Sequence, residues 1–181
     1  MSSVNGERYT RPAILLHWLL AVLVIALLII GWMMTDLPKG PLRTAPYALH
    51  KSIGLCALVL VFMRIAWRRF HAPPAAAPQL RPWERKLSAA VHRGLYFLMV
   101  IAPLAGLLSA SFTKYPMKFF GLVLPSVGWP ESTLLNAVFN NLHKGAVWTL
   151  LLFLVLHVLG AIHHGLRRDG VMSRMFPRNA G

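Results

Sequence analysis

Apolar residues gather into four long runs along this chain, separated by stretches rich in proline, glycine and charge. The first, residues 13–34, contains LLHWLLAVLVIALLIIGWMM, and the second, 48–67, contains HKSIGLCALVLVFMRIAW. The third, 94–112, contains LYFLMVIAPLAGLLSASF, and the fourth, 143–166, reads HKGAVWTLLLFLVLHVLGAIHHGL. Each matches the about 20 helical residues needed to cross the hydrocarbon layer of a bilayer. Short connections join them, which predicts an all-α integral membrane four-helix bundle running up-down-up-down, one domain over residues 1–181. The first run exceeds the apolar core of a signal peptide, and GWMMTDLP offers no small-x-small cleavage site, so it is expected to be retained.

The interruptions mark ends and bends. Pro46 is expected at the start of the second helix, where a missing N–H costs little, and Pro103 should kink the third. The segment TKYPMKFFGLVLPSVGWPESTLLNAVFNN is apolar but broken by Pro and Gly, and reads as an interfacial cap over one end of the bundle. Trp32, Trp129 and Trp148 suit the outer membrane interface, and Trp18, Trp67 and Trp83 the inner one.

Composition agrees. Of 181 residues, 56% are hydrophobic and only 13% charged, against roughly a quarter charged in soluble domains. The net charge of +14 is read as charge flanking membrane segments, since nucleic-acid binders lack such apolar runs. Cys56, the single cysteine, excludes an internal disulfide, a CxxCH haem attachment and a cysteine-ligated iron–sulfur cluster. Thirteen basic residues fall at the termini, in the second-to-third connection and at the adjoining helix ends. Six lie on the opposite side: Lys39, Arg43, Lys51, Lys114, Lys118 and Lys144. The positive-inside rule then puts both termini in the cytoplasm.

Ionisable side chains within a span are rare and usually functional, so the histidines carry the chemistry. His17 lies near the inner end of the first helix, and His50 and His143 open the second and fourth on the outer side. His157 lies fourteen residues beyond His143, a rise of about 21 Å at 100° per residue, which brings both to nearly one face. Depth therefore pairs His50 with His143 and His17 with His157. Two pairs at two depths suit two b-type haems, each iron held by an imidazole from either side. A tetrahedral zinc site needs its ligands clustered, and these are not. Gly54, Gly106, Gly145 and Gly160 offer room for flat macrocycles or close helix packing. His71 belongs to the proline-rich loop, His92 begins the third helix, and His163 and His164 end the fourth. His164 is about 20° off the face of His157 but about 10 Å nearer the cytoplasm, which favours an interfacial or quinone-head-group role over ligation.

The ordered set ILLHW, HKSIG, LHKGAVWTLLLFLVLH and MSRMFPR, with MRIAWRRFHAPP and IAPLAGL between, resembles the bacterial cytochrome b561 family over almost the whole chain. The resemblance implies two haems b ligated by His17, His50, His143 and His157, and electron transfer in the lipid bilayer with ubiquinone as one partner. It further implies a superoxide oxidase activity, passing electrons from periplasmic superoxide to ubiquinone. Lys51 and Lys144, beside the outer ligands, are candidate haem propionate partners. Lys39, Arg43, Lys114 and Lys118 could steer an anion to the outer face. His92 or His164 would supply protons for quinone reduction. Two other readings stand beside this one: an anchor subunit relaying electrons to a separate hydrogenase, dehydrogenase or periplasmic cytochrome, and a haem-free proton-relay channel or transporter.

Overall fold

A computed structural model describes residues 8–38, 40–77, 79–125 and 128–176. Four helices dominate it: α1 (Arg11–Asp36), α2 (Pro41–Phe70), α3 (Pro82–Ser111) and α4 (Thr133–Arg167). All four are long and apolar enough to cross a membrane. Between α3 and α4 lies a two-stranded antiparallel hairpin, β1 (Lys118–Phe119) and β2 (Leu122–Val123). A 3-10 turn over Met172–Met175 follows α4.

The helices overrun the apolar runs that reveal them. α3 begins twelve residues before the expected Gly94, and α4 ten before His143. Capping explains both starts. The Glu84 carboxylate accepts the Arg81 backbone N–H at 2.7 Å, and Pro82 takes the first helical position, where its missing N–H is harmless. At the other start, the Ser132 hydroxyl accepts the Leu135 N–H at 3.3 Å. The 35 residues of α4 span roughly 52 Å, well beyond a hydrocarbon layer of about 30 Å, so its first turns stand outside the apolar layer. α2 likewise begins at Pro41, leaving Pro46 inside the helix rather than at its start. α3 runs on through Pro103 without interruption.

Packing assigns the helices to pairs. Along α3, Val91, Leu95, Leu98 and Ala102 recur at four- and three-residue steps and meet Ala146 and Leu150 of α4. Leu20 of α1 joins Leu58 and Val61 of α2 in a second cluster, against Tyr96, Met99, Val100 and Leu104 of α3. In lipid such contacts act through shape rather than water exclusion, so small residues at the seam matter most. The outward faces are apolar. Leu15, Val22 and Ile29 of α1, and Leu152, Leu159 and Ile162 of α4, are each at least half exposed, as lipid-facing residues should be. α1 and α4 approach mainly through long side chains, Trp32 meeting Trp148 at 6.2 Å between ring centres.

The cap at the hairpin end of the bundle, labelled outer against the inner end that carries the chain's first and last described residues, is built rather than loose. Phe120 (φ 45°) and Gly121 (φ 92°) form a tight turn whose positive φ values suit the strand twist of a hairpin. The Ser52 hydroxyl of α2 clips the hairpin by accepting the Phe120 N–H at 2.9 Å. Nearby, Phe112 stacks between Trp129 and Phe139, and Asn136 donates to the Ser109 carbonyl at 2.8 Å. At the inner surface, Trp18 donates to the Met175 carbonyl and Trp67 to Thr10, each at 2.9 Å. Arg174 reaches the Ala75 carbonyl at 2.7 Å, tying the tail to the proline-rich loop.

Gly94 is the tightest seam. A Cβ there would stand 2.2 Å from the Phe153 ring of α4. Gly94→Ala should therefore destabilise the bundle by about 1–3 kcal/mol through overpacking. Thermal unfolding in detergent checks this, and pairing the change with Phe153→Ala should cost less than the sum of the two single changes.

Candidate electron-transfer site

Two imidazole pairs face each other across the bundle. His50 and His143 have ring centres 6.1 Å apart, and His17 and His157 6.0 Å apart. His50 and His143 stand well inside their helices rather than at the first turn, because α2 and α4 start at Pro41 and Thr133. An iron between two imidazoles needs two metal–nitrogen bonds of about 2 Å, plus about 1.1 Å from each nitrogen to its ring centre, or roughly 6.2 Å in all. Both pairs meet that requirement.

The surroundings of the outer pair fit a ligand role as well. The His143 Nδ1–H donates to the Ala102 carbonyl of α3 at 2.7 Å, which leaves Nε2 with a free lone pair. Gly106, one turn further along α3, makes the notch for this ring: a Cβ there would lie 3.1 Å from His143 Nδ1. Gly31 of α1 does the same for His50, with a Cβ position 3.3 Å from Cε1. The buried His50 Nδ1 lies near the Leu27 carbonyl without reaching hydrogen-bond geometry, so a small ring rotation would complete the equivalent bond. Among the glycines expected to make room for macrocycles, Gly106 instead seats a histidine ring, and Gly54 meets Leu27 at 3.9 Å. Gly145 and Gly160 face open space.

The inner pair has a third imidazole beside it. His92 sits eleven positions into α3 rather than at its start, with its ring centre 5.2 Å from that of His157. That distance is too short for an iron between them, so His17 remains the better partner for His157. The His92 Nδ1 hydrogen-bonds the Ser88 carbonyl at 2.7 Å, leaving Nε2 as a free base. His164 lies apart from this cluster, paired with Asp169 at 2.6 Å. Burial opposes ionisation of Asp169, but hydrogen bonds from His164 and the Val171 N–H outweigh it, and its pKa falls below the ordinary value. His71 stacks on Trp67 at 3.9 Å, away from both pairs.

Arg64 belongs to the inner site, although by sequence it reads as flanking charge. It is 9% exposed, its Nε donates to the Tyr96 hydroxyl at 2.8 Å, and its Nη1 donates to the Ala13 carbonyl at 2.5 Å. The signal was present in the spacing: Arg64 follows His50 by fourteen residues, as His157 follows His143.

The outer cations are distributed over the cap. Lys118 lies on β1, and its carbonyl is 3.5 Å from the Ser52 hydroxyl, next in sequence to the half-buried Lys51. Lys114 sits over the Tyr115 ring at 5.7 Å and is exposed, as is Lys144. Arg43 bonds the Met34 carbonyl at 3.1 Å and the Tyr47 hydroxyl at 2.8 Å, so it also braces the α1–α2 corner. Lys39 lies outside the described residues.

Comparison with known proteins matches residues 8–178 to the family model described as prokaryotic cytochrome b561. The chain is 29% identical to cytochrome b561 homolog 2 of Escherichia coli (strain K12), over 99% of this chain and 97% of that one. It is 27% identical to cytochrome b561 homolog 1 of the same organism, over 95% and 98%. It is 26% identical to a probable superoxide oxidase CybB of Yersinia pestis, over 97% and 99%. Four membrane-spanning helices and a match running nearly end to end place this chain in the prokaryotic cytochrome b561 family.

Proposed function

We propose that this protein is a two-haem superoxide:ubiquinone oxidoreductase of the bacterial inner membrane, with both termini in the cytoplasm. The observation that carries the haem reading is the equal, iron-sized separation of two imidazole pairs at two depths. Family membership implies haem b, and haem supplies one-electron chemistry when bound. His50 and His143 would hold the outer haem, and His17 and His157 the inner one. The superoxide reading draws support from the relative called a probable superoxide oxidase and from the basic outer cap.

Each side chain has a defined task in this scheme. Lys51 and Lys144 would neutralise propionates of the haem held by His50 and His143. Lys114, Lys118, Arg43 and Lys39 draw an anion towards that end, with Asp36 and Glu131 as the opposing acids there. Two superoxide ions each give up one electron and leave as dioxygen. One ubiquinone takes both electrons with two protons and becomes ubiquinol. His92, with Nε2 free, passes protons on the inner side, while His164 is held by Asp169 and is the weaker candidate.

Replacing His50 or His143 by Ala should lower haem content from two per chain to one and leave the second b-type band intact. Haem content and reduced-minus-oxidised spectra of the purified variants check this, and a wild type without a b-type α band would sink the haem assignment. Purified protein mixed with a superoxide source and ubiquinone should show fast haem reduction. The rate should fall as salt rises, because the screening length shrinks from about 10 Å at 0.1 M to about 3 Å at 1 M. Absence of reduction by superoxide would favour the anchor-subunit reading instead.

A further inference from the structure

Arg64 is a buried cation to which no described carboxylate answers. Its depth is fixed by spacing. α2 and α4 run in the same direction, and Arg64 lies fourteen residues past His50, as His157 lies fourteen past His143. Each interval is a rise of about 21 Å, so Arg64 sits at the level of the inner pair. Its charge is within electrostatic reach of His17, His157 and His92.

The inner acids are committed elsewhere. Glu84 bonds the Arg81 N–H and pairs with Arg167 at 3.3 Å. Asp169 pairs with His164. Asp36 and Glu131 belong to the outer end, and Glu7, the remaining acid of the sequence, lies outside the described residues. The guanidinium instead has two neutral acceptors, Tyr96 and the Ala13 carbonyl. Arg68 also stands over the ring of the same tyrosine, 5.7 Å from its centre, which adds positive charge. A charge taken out of water without a counter-ion is strongly unfavourable, so such a site calls for an anion.

We propose that Arg64, oriented by Tyr96, binds a propionate carboxylate of the haem at the inner histidine pair and fixes that haem's reduction potential. The proposal rests on the haem reading given above. Guanidinium matches a carboxylate in shape and stays charged at every physiological pH. A b-type haem carries two carboxylates against one net positive charge on its ferric centre, so a buried cation balances the whole. Reduction adds one electron and breaks no bond. A fixed positive charge favours the ferrous form and raises the potential. Arg64 would thereby raise the inner potential above the value that site has without it, which favours electron flow inward.

Redox titration of the purified full-length protein, followed at the b-type band, tests this with Arg64→Gln, Arg64→Lys and Glu7→Gln. A His157→Ala variant identifies which transition belongs to the inner haem. In R64Q the inner transition should fall by at least 59 mV, a tenfold change in its one-electron equilibrium, with the outer one unmoved. R64K should keep most of the wild-type value. If R64Q loses the inner haem outright, restoration of that haem by R64K still supports the proposal, because charge is then what the site needs. Loss in both variants would overturn it. An unmoved inner transition in R64Q overturns it too, as does a rise of that transition in E7Q, because losing a counter-ion of the chain's own would unmask the Arg64 charge. A wild type with no b-type band removes the haem reading itself, whereas two normal wild-type transitions with neither shifted by R64Q remove only this inference.

Discussion

Burying ionisable rings in a bundle with few carboxylates is the constraint on which this structure turns. An imidazole or guanidinium inside an apolar layer must find hydrogen bonds, a metal or an opposite charge. The protein supplies backbone carbonyls first: Ala102 for His143, Ser88 for His92, Ala13 for Arg64. Each such bond engages one nitrogen of its side chain and fixes the side chain's place on its helix.

The helices that do this are held together with little reliance on hydrophobic exclusion. α3 and α4 mesh along a seam of Leu, Val and Ala, while α1 and α4 touch mainly through rings. The two histidine pairs lie where α4 faces α1 and α2, which it packs against less closely than α3. Hydrogen bonds tie the two ends, from Asn136 to Ser109 at one and from Trp18 and Arg174 at the other.

Much of this was legible in the sequence. The four apolar runs gave the number of spans, and 3.6-residue periodicity alone brought His143 and His157 to one face. What stayed hidden has physical reasons. Hydropathy registers the part of a helix that lies in lipid, so the turns of α3 before Gly94 and of α4 before His143 went unseen, although Glu84 and Ser132 cap them. His92 was misplaced in consequence, since a helix thought to begin near Gly94 leaves that ring at the interface rather than beside His157. Arg64 was hidden by its neighbours Arg68 and Arg69, which are exposed and do read as flanking charge. Gly31 gave no signal, because the need for a missing side chain shows only once the His50 ring lies against it.

The matching fourteen-residue intervals of α2 and α4 act as a ruler. Their histidines meet across the bundle, yet His50 rests on Gly31 of α1 and His143 on Gly106 of α3, so the register between α2 and α4 is transmitted through their neighbours. A slip of α4 by one turn, about 5.4 Å, against its neighbours would misalign both pairs together, because α4 supplies one histidine to each. Assembly is therefore checked at two heights by one error, and a chain inserted out of register has no partly correct state in which to rest.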